Sequence, residues 1–170
     1  VVYLEEVTAA SFVAACGADR IVLAPLAEWD VTGLLATPTF FKDLLARLGV
    51  EFDVVRVAPW KTAADSFLFS GLTDAARDQY NWLFDSLFGT IVSAVAGGRN
   101  LSEQTVRAAV DRAPLPAAAA LEAGLVDRVL YEDELPSLLG QAEQPARLKA
   151  YGRVRGLLRR QPQRSAALDI

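Results

Sequence analysis

Histidine is absent from this 170-residue chain, and that absence removes the commonest routes to acyl-transfer chemistry. Ser-His-Asp and Cys-His catalysis both use an imidazole as general base, so neither can operate within the chain. The only ligands that the chain offers to a zinc ion are one cysteine, Cys16, and carboxylates, and these are a poor ligand set. If the chain supplies a general base for acyl transfer, that base must be a lysine, because arginine keeps its proton in proteins.

Methionine is also missing, cysteine occurs once, and no apolar run is long. The first four residues have the pattern of a strand interior, so we expect the chain to be a fragment cut from a longer protein. Cys16 cannot form an internal disulfide and is predicted to be a buried small side chain. The longest apolar runs, such as Ala117 to Leu121, are far shorter than the ~20 residues that cross a bilayer.

Acidic and basic residues are unevenly distributed. Residues 1–145 carry 10 basic and 20 acidic side chains, whereas residues 146–170 carry 7 basic and one acidic. A basic tail could meet nucleic acid or anionic lipid. No aromatic residue beyond Tyr151 interleaves with its charges, as base stacking would require, so we expect no nucleic-acid partner. The predicted organisation is one domain over 1–145 and a basic linker over 146–170 that leads to a missing second half.

Short apolar runs alternate with helical patterns. Strands are predicted at 1–7, 20–25, 29–34, 52–57 and 125–130, and helices at 8–16, 40–48, 74–96, from 102, and 115–123. Thr73 and Ser102 are predicted N-caps, while Gly49 and the pair Gly97-Gly98 are predicted helix ends. This alternation predicts an α/β fold with a largely parallel sheet. No glycine-rich phosphate loop follows a strand, which disfavours a nucleotide-binding fold.

Lysine is scarce in this chain, since only Lys42, Lys61 and Lys149 stand among the 17 basic residues. Lys61 follows a predicted strand and is the candidate general base, because a lysine removed from water can lose its proton near neutral pH. Apolar surroundings for it would come from four neighbours, Pro59, Trp60, Phe67 and Leu68. The alternative is an ordinary surface lysine at the end of a strand.

The segment around Lys61 resembles a family motif. Val55-Arg56-Val57, then Trp60-Lys61-Thr62-Ala63 and Phe67, are similar to Arg-Val-Gly-x-Tyr-Lys-Ser-Ala-x-Glu-Pro-Phe of the signal peptide peptidase A family, also called protease IV. The chain departs from this motif at four positions, with Ala58 for glycine, Trp60 for tyrosine, Asp65 for glutamate and Ser66 for proline. Further similarity lies at 18–25, 41–50 and 120–127, so the resemblance covers most of the chain.

The resemblance implies a Clp-protease/crotonase-like fold of stacked ββα units. It also implies that Lys61 is the general base of a Ser/Lys dyad in a serine endopeptidase that degrades cleaved signal peptides and other apolar peptides, with no cofactor and no metal. The full-length protein is then expected at the extracytoplasmic side of the bacterial cell envelope, attached to the membrane through a missing N-terminal segment. Asp65 either orients Lys61 or, as we favour, caps the helix that follows it.

The nucleophile is missing from its expected place. Counting back from Asp19 without a gap puts Ala9 where single-domain family members have their serine, and the two glycines after that serine are also absent. The chain is then the lysine-bearing N-terminal half of a double-length member, an engineered serine-to-alanine variant, or a degenerate assembly domain. We favour the first, because N-terminal halves of the family likewise lack the serine. Ser11, Ser66 and Ser70 are weaker candidates within the chain.

The expected partners are peptide substrates and either a homologous second half or neighbouring subunits in a homo-oligomer. The apolar face predicted for the 74–96 helix, with Phe67, Leu68 and Phe69, is the expected contact surface. Two alternatives stay open. One is a catalytically inactive peptide-binding or assembly domain, and the other is a crotonase-like acyl-CoA enzyme, for which no residue in the sequence suggests a binding site.

Overall fold

The computed structural model describes residues 1–55, 60–141 and 143–155. The chain divides into two compact units, Val1–Val129 and a second unit that begins at Leu130. The strands of the first unit are β1 (Val2–Leu4), β2 (Val7–Thr8), β3 (Ile21–Leu23), β4 (Glu28–Asp30), β5 (Leu115–Pro116) and β6 (Arg128–Val129). Its helices are α1 (Ala9–Ala15), α2 (Lys42–Arg47), α3 (Asp65–Leu68), α4 (Asp74–Arg99), α5 (Glu103–Val110) and α6 (Ala117–Glu122).

The strands form two small sheets. In the first sheet, ordered β1-β3-β6, all neighbours are parallel, and Val2 pairs with Ile21. In the second, ordered β2-β4-β5, β2 and β4 are parallel while β4 and β5 are antiparallel. The predicted mixture of helices with parallel strands is therefore confirmed in the first sheet. The antiparallel strand β5 was not expected, because residues 115–123 have a continuous helical pattern.

Helix α1 connects the two sheets and begins at a capping box. The Thr8 hydroxyl accepts a hydrogen bond from the Ser11 backbone N–H, and the Ser11 hydroxyl accepts one from the Thr8 N–H at 2.9 Å. This satisfies two of the amide groups that a helix start leaves unpaired. The helix buries Phe12 completely, with its ring edge-on to that of Trp29 at 5.5 Å between centroids. Such edge-to-face pairs add about 0.5–1.5 kcal/mol beyond the area they bury.

The core of the first unit lies between the sheets, α1, the last third of α4, and helices α5 and α6. Its fully buried large side chains include Phe12, Ile21, Leu23, Trp29, Val92, Val95, Val106 and Leu125. Cys16 is 7% exposed within this core, as the sequence predicted. Burial raises the pKa of the Cys16 thiol, and the nearby Arg99 charge offsets this only in part.

Helix α4 starts where the sequence predicts but ends later. The Thr73 hydroxyl accepts from the Ala76 N–H, so Thr73 is the N-cap. The helix continues through Gly97 and Gly98 to Arg99, and Asn100 closes it in the left-handed conformation. The predicted stop at the glycine pair is thus wrong. Gly98 has a packing role instead, since a Cβ there would lie 2.5 Å from the Cys16 carbonyl oxygen.

The described residues before Lys61 hold less regular structure than their pattern predicts. Residues 52–55 are exposed and form no strand, while 56–57 lie outside the described residues. None of the described strands pairs with 52–55, and an unpaired strand has no ladder of hydrogen bonds to hold it. Helix α2 begins at Lys42 with Phe41 at the N-cap position, not at Phe40 after Thr39, and Gly49 follows its end with φ 72°, as predicted. The strand predicted at 29–34 ends at Asp30.

Asp127 joins three parts of the first unit. Its carboxylate accepts hydrogen bonds from the Ile21 N–H and from the Arg99 guanidinium, each at 2.7 Å, and its own N–H donates to the Ile21 carbonyl. Burial alone would raise the pKa of this carboxyl. The hydrogen bonds from Arg99 and Ile21 and the charges of Arg99 and Arg20 outweigh burial, so the pKa lies below its ordinary value.

The second unit contains a 3₁₀ helix (Glu132–Glu134) and helices α7 (Leu135–Leu139) and α8 (Tyr151–Val154). The Tyr131 N–H donates to the Glu134 carboxylate at 2.8 Å, and the Ala146 N–H donates to the Pro136 carbonyl at 2.8 Å. In the described part of the chain, every helix is too short or too polar to cross a membrane.

Candidate functional site

Lys61 lies in a short connection between a turn at Trp60 and helix α3. Its side chain is exposed and makes no hydrogen bond or ion pair within the described part of the chain. The described apolar neighbours leave it open to solvent, since Trp60 is 55% and Phe67 39% exposed, and Pro59 lies outside the described residues. Among the residues that the structure describes, the apolar surroundings expected for a general base are therefore incomplete.

The residues on both sides of Lys61 are held by one side chain of α4. The Thr62 hydroxyl donates to Gln79 Oε1 at 2.7 Å, and Gln79 Nε2 donates to the Trp60 carbonyl at 2.5 Å. Gln79 thus uses its acceptor and its donor on the two neighbours of Lys61. This arrangement fixes the backbone before and after the lysine while leaving its side chain at the surface.

Asp65 anchors the far end of the same connection. Its side chain is 4% exposed and accepts a hydrogen bond from the Thr73 hydroxyl at 2.8 Å, while Thr73 also caps α4. The N-cap of α3 is Ala64, with no side-chain cap. The favoured interpretation of Asp65 as a helix cap is therefore wrong, because its carboxylate turns inward to the start of α4.

A cavity of about 320 Å³ opens beside Trp60, and its other lining residues are Asp78, Gln79 and Trp82. Trp60 and Trp82 are 55% and 75% exposed, so both indoles contribute open apolar wall. Asp78 and Trp82 are one helical turn apart on α4 and share a face of it. One of its lining residues, Trp60, directly precedes Lys61 in the chain.

The Ser11 and Ser70 hydroxyls bond to groups other than Lys61, and Ser66 and Ala9 lie in helices. The Ser11 hydroxyl belongs to the capping box of α1, and the Ser70 hydroxyl donates to Asp43 at 2.7 Å. Ser66 lies within α3, and its carbonyl accepts from the Phe41 N–H. Ala9 is the first residue of α1. Within the described residues, no serine hydroxyl hydrogen-bonds to Lys61.

Three phenylalanines cluster near α2 and α3. The Phe67 ring stacks on those of Phe41 and Phe52, with centroids 5.9 and 4.9 Å apart. All three are at least 39% exposed. The stack therefore forms an apolar surface rather than part of the core.

Sequence reasoning missed the residues that hold Lys61 in place. Gln79 and Thr73 lie 18 and 12 residues beyond Lys61, and no spacing rule connects a helix side chain to a distant turn. Asp78 and Trp82 had a usable signal, because residues four apart in a helix lie side by side. Thr73 was identified as an N-cap, but its second contact with Asp65 depends on tertiary packing.

Comparison with known proteins shows similarity to peptidases. The family model "Peptidase family S49" matches residues 1–145. A candidate protease of Synechocystis sp. is 33% identical over 103 residues, 60% of this chain and 36% of that protein. Protease 4 of Salmonella typhi is 29% identical over 87 residues, 51% of this chain and 14% of that protein. The chloroplastic serine protease SPPA of Arabidopsis thaliana is 20% identical over 124 residues, 73% of this chain and 18% of that protein.

The matched stretch spans between 14% and 36% of the length of these relatives. The family match, by contrast, covers most of this chain, including α1, Lys61 and the whole of α4. The resemblance identified from sequence motifs is thereby confirmed, and the chain belongs to peptidase family S49.

Proposed function

We propose that this chain is the lysine-bearing domain of a serine endopeptidase, with Lys61 as general base of a Ser/Lys dyad. The observation that carries the proposal is the placement of Lys61. Its side chain is exposed, while both neighbouring residues are bonded to Gln79. A proton acceptor must be held within hydrogen-bond reach of its partner, and a fixed backbone provides that. Membership of a peptidase family and the absence of histidine support the same assignment.

The nucleophilic serine would come from a homologous second half or a neighbouring subunit. Ala9 offers no nucleophile, and the Ser11 and Ser70 hydroxyls are engaged in other contacts. A second domain placed over Lys61 would also exclude water from it. That would supply desolvation which the described residues do not provide, because burial favours the neutral form of a lysine.

Assembly would use the exposed apolar surface of the chain. Trp82, Leu83 and Leu87 on α4 are 75%, 42% and 46% exposed. The phenylalanine stack consists of Phe41 at the start of α2, Phe67 on α3, and Phe52. Patches of this kind mark contact sites. We propose that homologous domains adopt the Clp-protease/crotonase-like fold and pack through these surfaces in a homo-oligomer.

The proposed substrates are cleaved signal peptides and other apolar peptides. The expected location is the extracytoplasmic side of the bacterial cell envelope, with membrane attachment outside this chain. Relatives named as proteases, from Salmonella typhi and Haemophilus influenzae among others, support the peptidase assignment but leave the substrate open.

Substitution of Lys61 in the full-length protein tests the assignment. Lys61→Ala and Lys61→Arg should each abolish hydrolysis of a fluorogenic apolar peptide, because arginine restores the charge but cannot accept a proton. Lys42→Arg is the matched control, since Lys42 is exposed on α2. Assembly size, measured by light scattering, should be unchanged in all three. Near-normal turnover of Lys61→Arg would show that the lysine is only a structural cation.

A peptide-binding or assembly domain without catalysis is the second candidate. Ala9 and the exposed aromatic residues favour it, since both fit a domain that binds chains without cleaving them. The same experiment separates the two proposals, because a binding domain would retain the activity of its partner when Lys61 is replaced.

A further inference from the structure

We propose that Asp65 is a positioning residue for Lys61 and acts on it through the Thr73 hydroxyl at the start of α4. Asp65 ends the Lys61 connection, which we define as residues 60–65. Within the described residues the Lys61 side chain bonds to no other group, so Asp65 can act on it only through the backbone. The inference rests on the proposed function, because it takes Lys61 to be the general base.

Asp65 is buried where the lysine is exposed. It is 4% exposed, the lowest value of any charged residue in the described part of the chain. Burying a carboxylate is costly unless hydrogen bonds satisfy it, so the bonds that hold Asp65 fix its place closely. One of them is the 2.8 Å bond from the Thr73 hydroxyl, which ties the Lys61 connection to α4.

The Lys61 connection is attached to α4 at two separate places. Gln79 holds it through both neighbours of the lysine, and Thr73 holds it through Asp65. Thr73 is the N-cap of α4 and Gln79 lies six residues later, which is ~9 Å along a helix axis at ~1.5 Å per residue. A segment held at one point can rotate about it, whereas a second point at this distance fixes its direction. The Asp65 bond therefore sets the direction in which the connection presents Lys61.

The Asp65 backbone transmits this constraint to the lysine. Its N–H donates to the Thr62 carbonyl at 3.0 Å and closes a tight turn over residues 62–65. A shift of Asp65 would therefore move the residue that directly follows Lys61. A general base must lie within hydrogen-bond reach of its proton donor, about 2.6–3.2 Å, so a small displacement is enough to slow proton transfer.

Substitutions at Thr73 in the full-length protein separate this bond from helix capping. Glycine is nearly as good an N-cap as threonine, so Thr73→Gly removes the hydroxyl that bonds Asp65 while largely preserving the start of α4. We expect kcat for a fluorogenic apolar peptide to fall about tenfold with KM nearly unchanged, because misplacement acts on the chemical step. Asp65→Ala should have the same effect. Thr73→Ser should recover most of the lost activity, because serine restores the hydroxyl.

Ser102→Gly is the matched control. The Ser102 hydroxyl caps α5 by accepting from the Thr105 N–H, as Thr73 does on α4, but within the described residues it makes no bond to the Lys61 connection. A ¹⁹F signal from 5-fluorotryptophan at Trp60, identified by its loss in Trp60→Phe, reports the place of the connection without turnover. Thr73→Gly should shift this signal and leave that of the fully buried Trp29 in place, and Ser102→Gly should shift neither.

Three results would overturn the positioning role. They are a kcat that falls no further in Thr73→Gly than in Ser102→Gly, a kcat that falls only in proportion to the folded fraction, and an unmoved Trp60 signal. Each would make Asp65 a structural residue only. Failure of the proposed base looks different, because Lys61→Arg would then keep its turnover while Thr73→Gly still shifted the Trp60 signal. That result would remove the general base and support the placement of the connection by Asp65.

Discussion

Gln79 Nε2 donates a hydrogen bond to the Trp60 carbonyl oxygen at 2.5 Å, which ties the turn before Lys61 to helix α4. The same side chain accepts from the Thr62 hydroxyl on the other side of the lysine. One glutamine therefore determines where the candidate base sits relative to the longest helix. Gln79 is therefore a positioning residue for the backbone on both sides of Lys61.

Gln79→Ala should lower kcat of the full-length protein about tenfold and change KM much less, because misplacement of a reacting group slows the chemical step. The free energy of unfolding should fall by no more than about 1–3 kcal/mol, since the two hydrogen bonds, one part-buried and one exposed, contribute about 0.5–1.5 kcal/mol each, and the variant should stay folded. Gln104→Ala, an exposed glutamine on α5, is the control. A proportional loss of stability and activity would indicate a merely structural role.

Stability should depend on pH through Asp127. Its pKa is lower in the folded chain than the ordinary ~3.9 of an unfolded aspartate, so the unfolded state binds the proton more readily. The stabilisation is therefore present above about pH 4 and is lost as pH falls through the folded pKa. Asp127→Asn should flatten this acid dependence in chemical unfolding measured from pH 6 to pH 2.

The same variant should also lower stability at pH 7 by about 1–3 kcal/mol, because the largely buried Arg99 loses a charged hydrogen-bond partner. Asp85→Asn, exposed on α4, is the control and should retain the wild-type pH profile. An unchanged acid transition in Asp127→Asn would contradict the role given to this carboxylate.

Two adjacent glycines should respond oppositely to alanine. A Cβ at Gly98 would lie 2.5 and 2.6 Å from the carbonyl oxygen and Cβ of Cys16, so Gly98→Ala should destabilise the chain by about 1–3 kcal/mol. Gly97 has no atom within 4 Å of that position, and Gly97→Ala should stabilise by up to about 1 kcal/mol through helix propensity. Urea unfolding measures both, and equal effects would show that the α1–α4 contact can relax.

A charge on the exposed part of α4 should reduce assembly. Leu87 is 46% exposed and lies outside the cavity beside Trp60. If homologous domains pack through α4, Leu87→Glu should shift the full-length protein to a smaller mass in light scattering, since a buried unpaired carboxylate is costly. Leu121→Glu, 40% exposed on α6, should keep the mass. The surface is not an interface if Leu87→Glu assembles normally.

Much of the local structure follows from the sequence. Thr73 and Ser102 cap their helices as predicted, and Gly49 follows α2 with positive φ. These features depend on neighbours a few residues away, so pattern alone can identify them. Residues 52–55 have a strand pattern but form no strand, because a strand also needs a neighbouring strand to pair with, and a local pattern does not show whether one is present.

By itself, the sequence determined the chemistry available to this protein. Without histidine, and with lysine at only three positions, it left lysine as the candidate general base, and the motifs that identified the family made Lys61 the candidate among the three. Only the tertiary structure decided what surrounds that lysine. Gln79, Thr73 and Trp82 come close to the Lys61 connection because α4 packs beside it. The pairs Thr62–Gln79, Asp65–Thr73 and Trp60–Trp82 are 8 to 22 residues apart, and their approach depends on the path of the chain rather than on any local period.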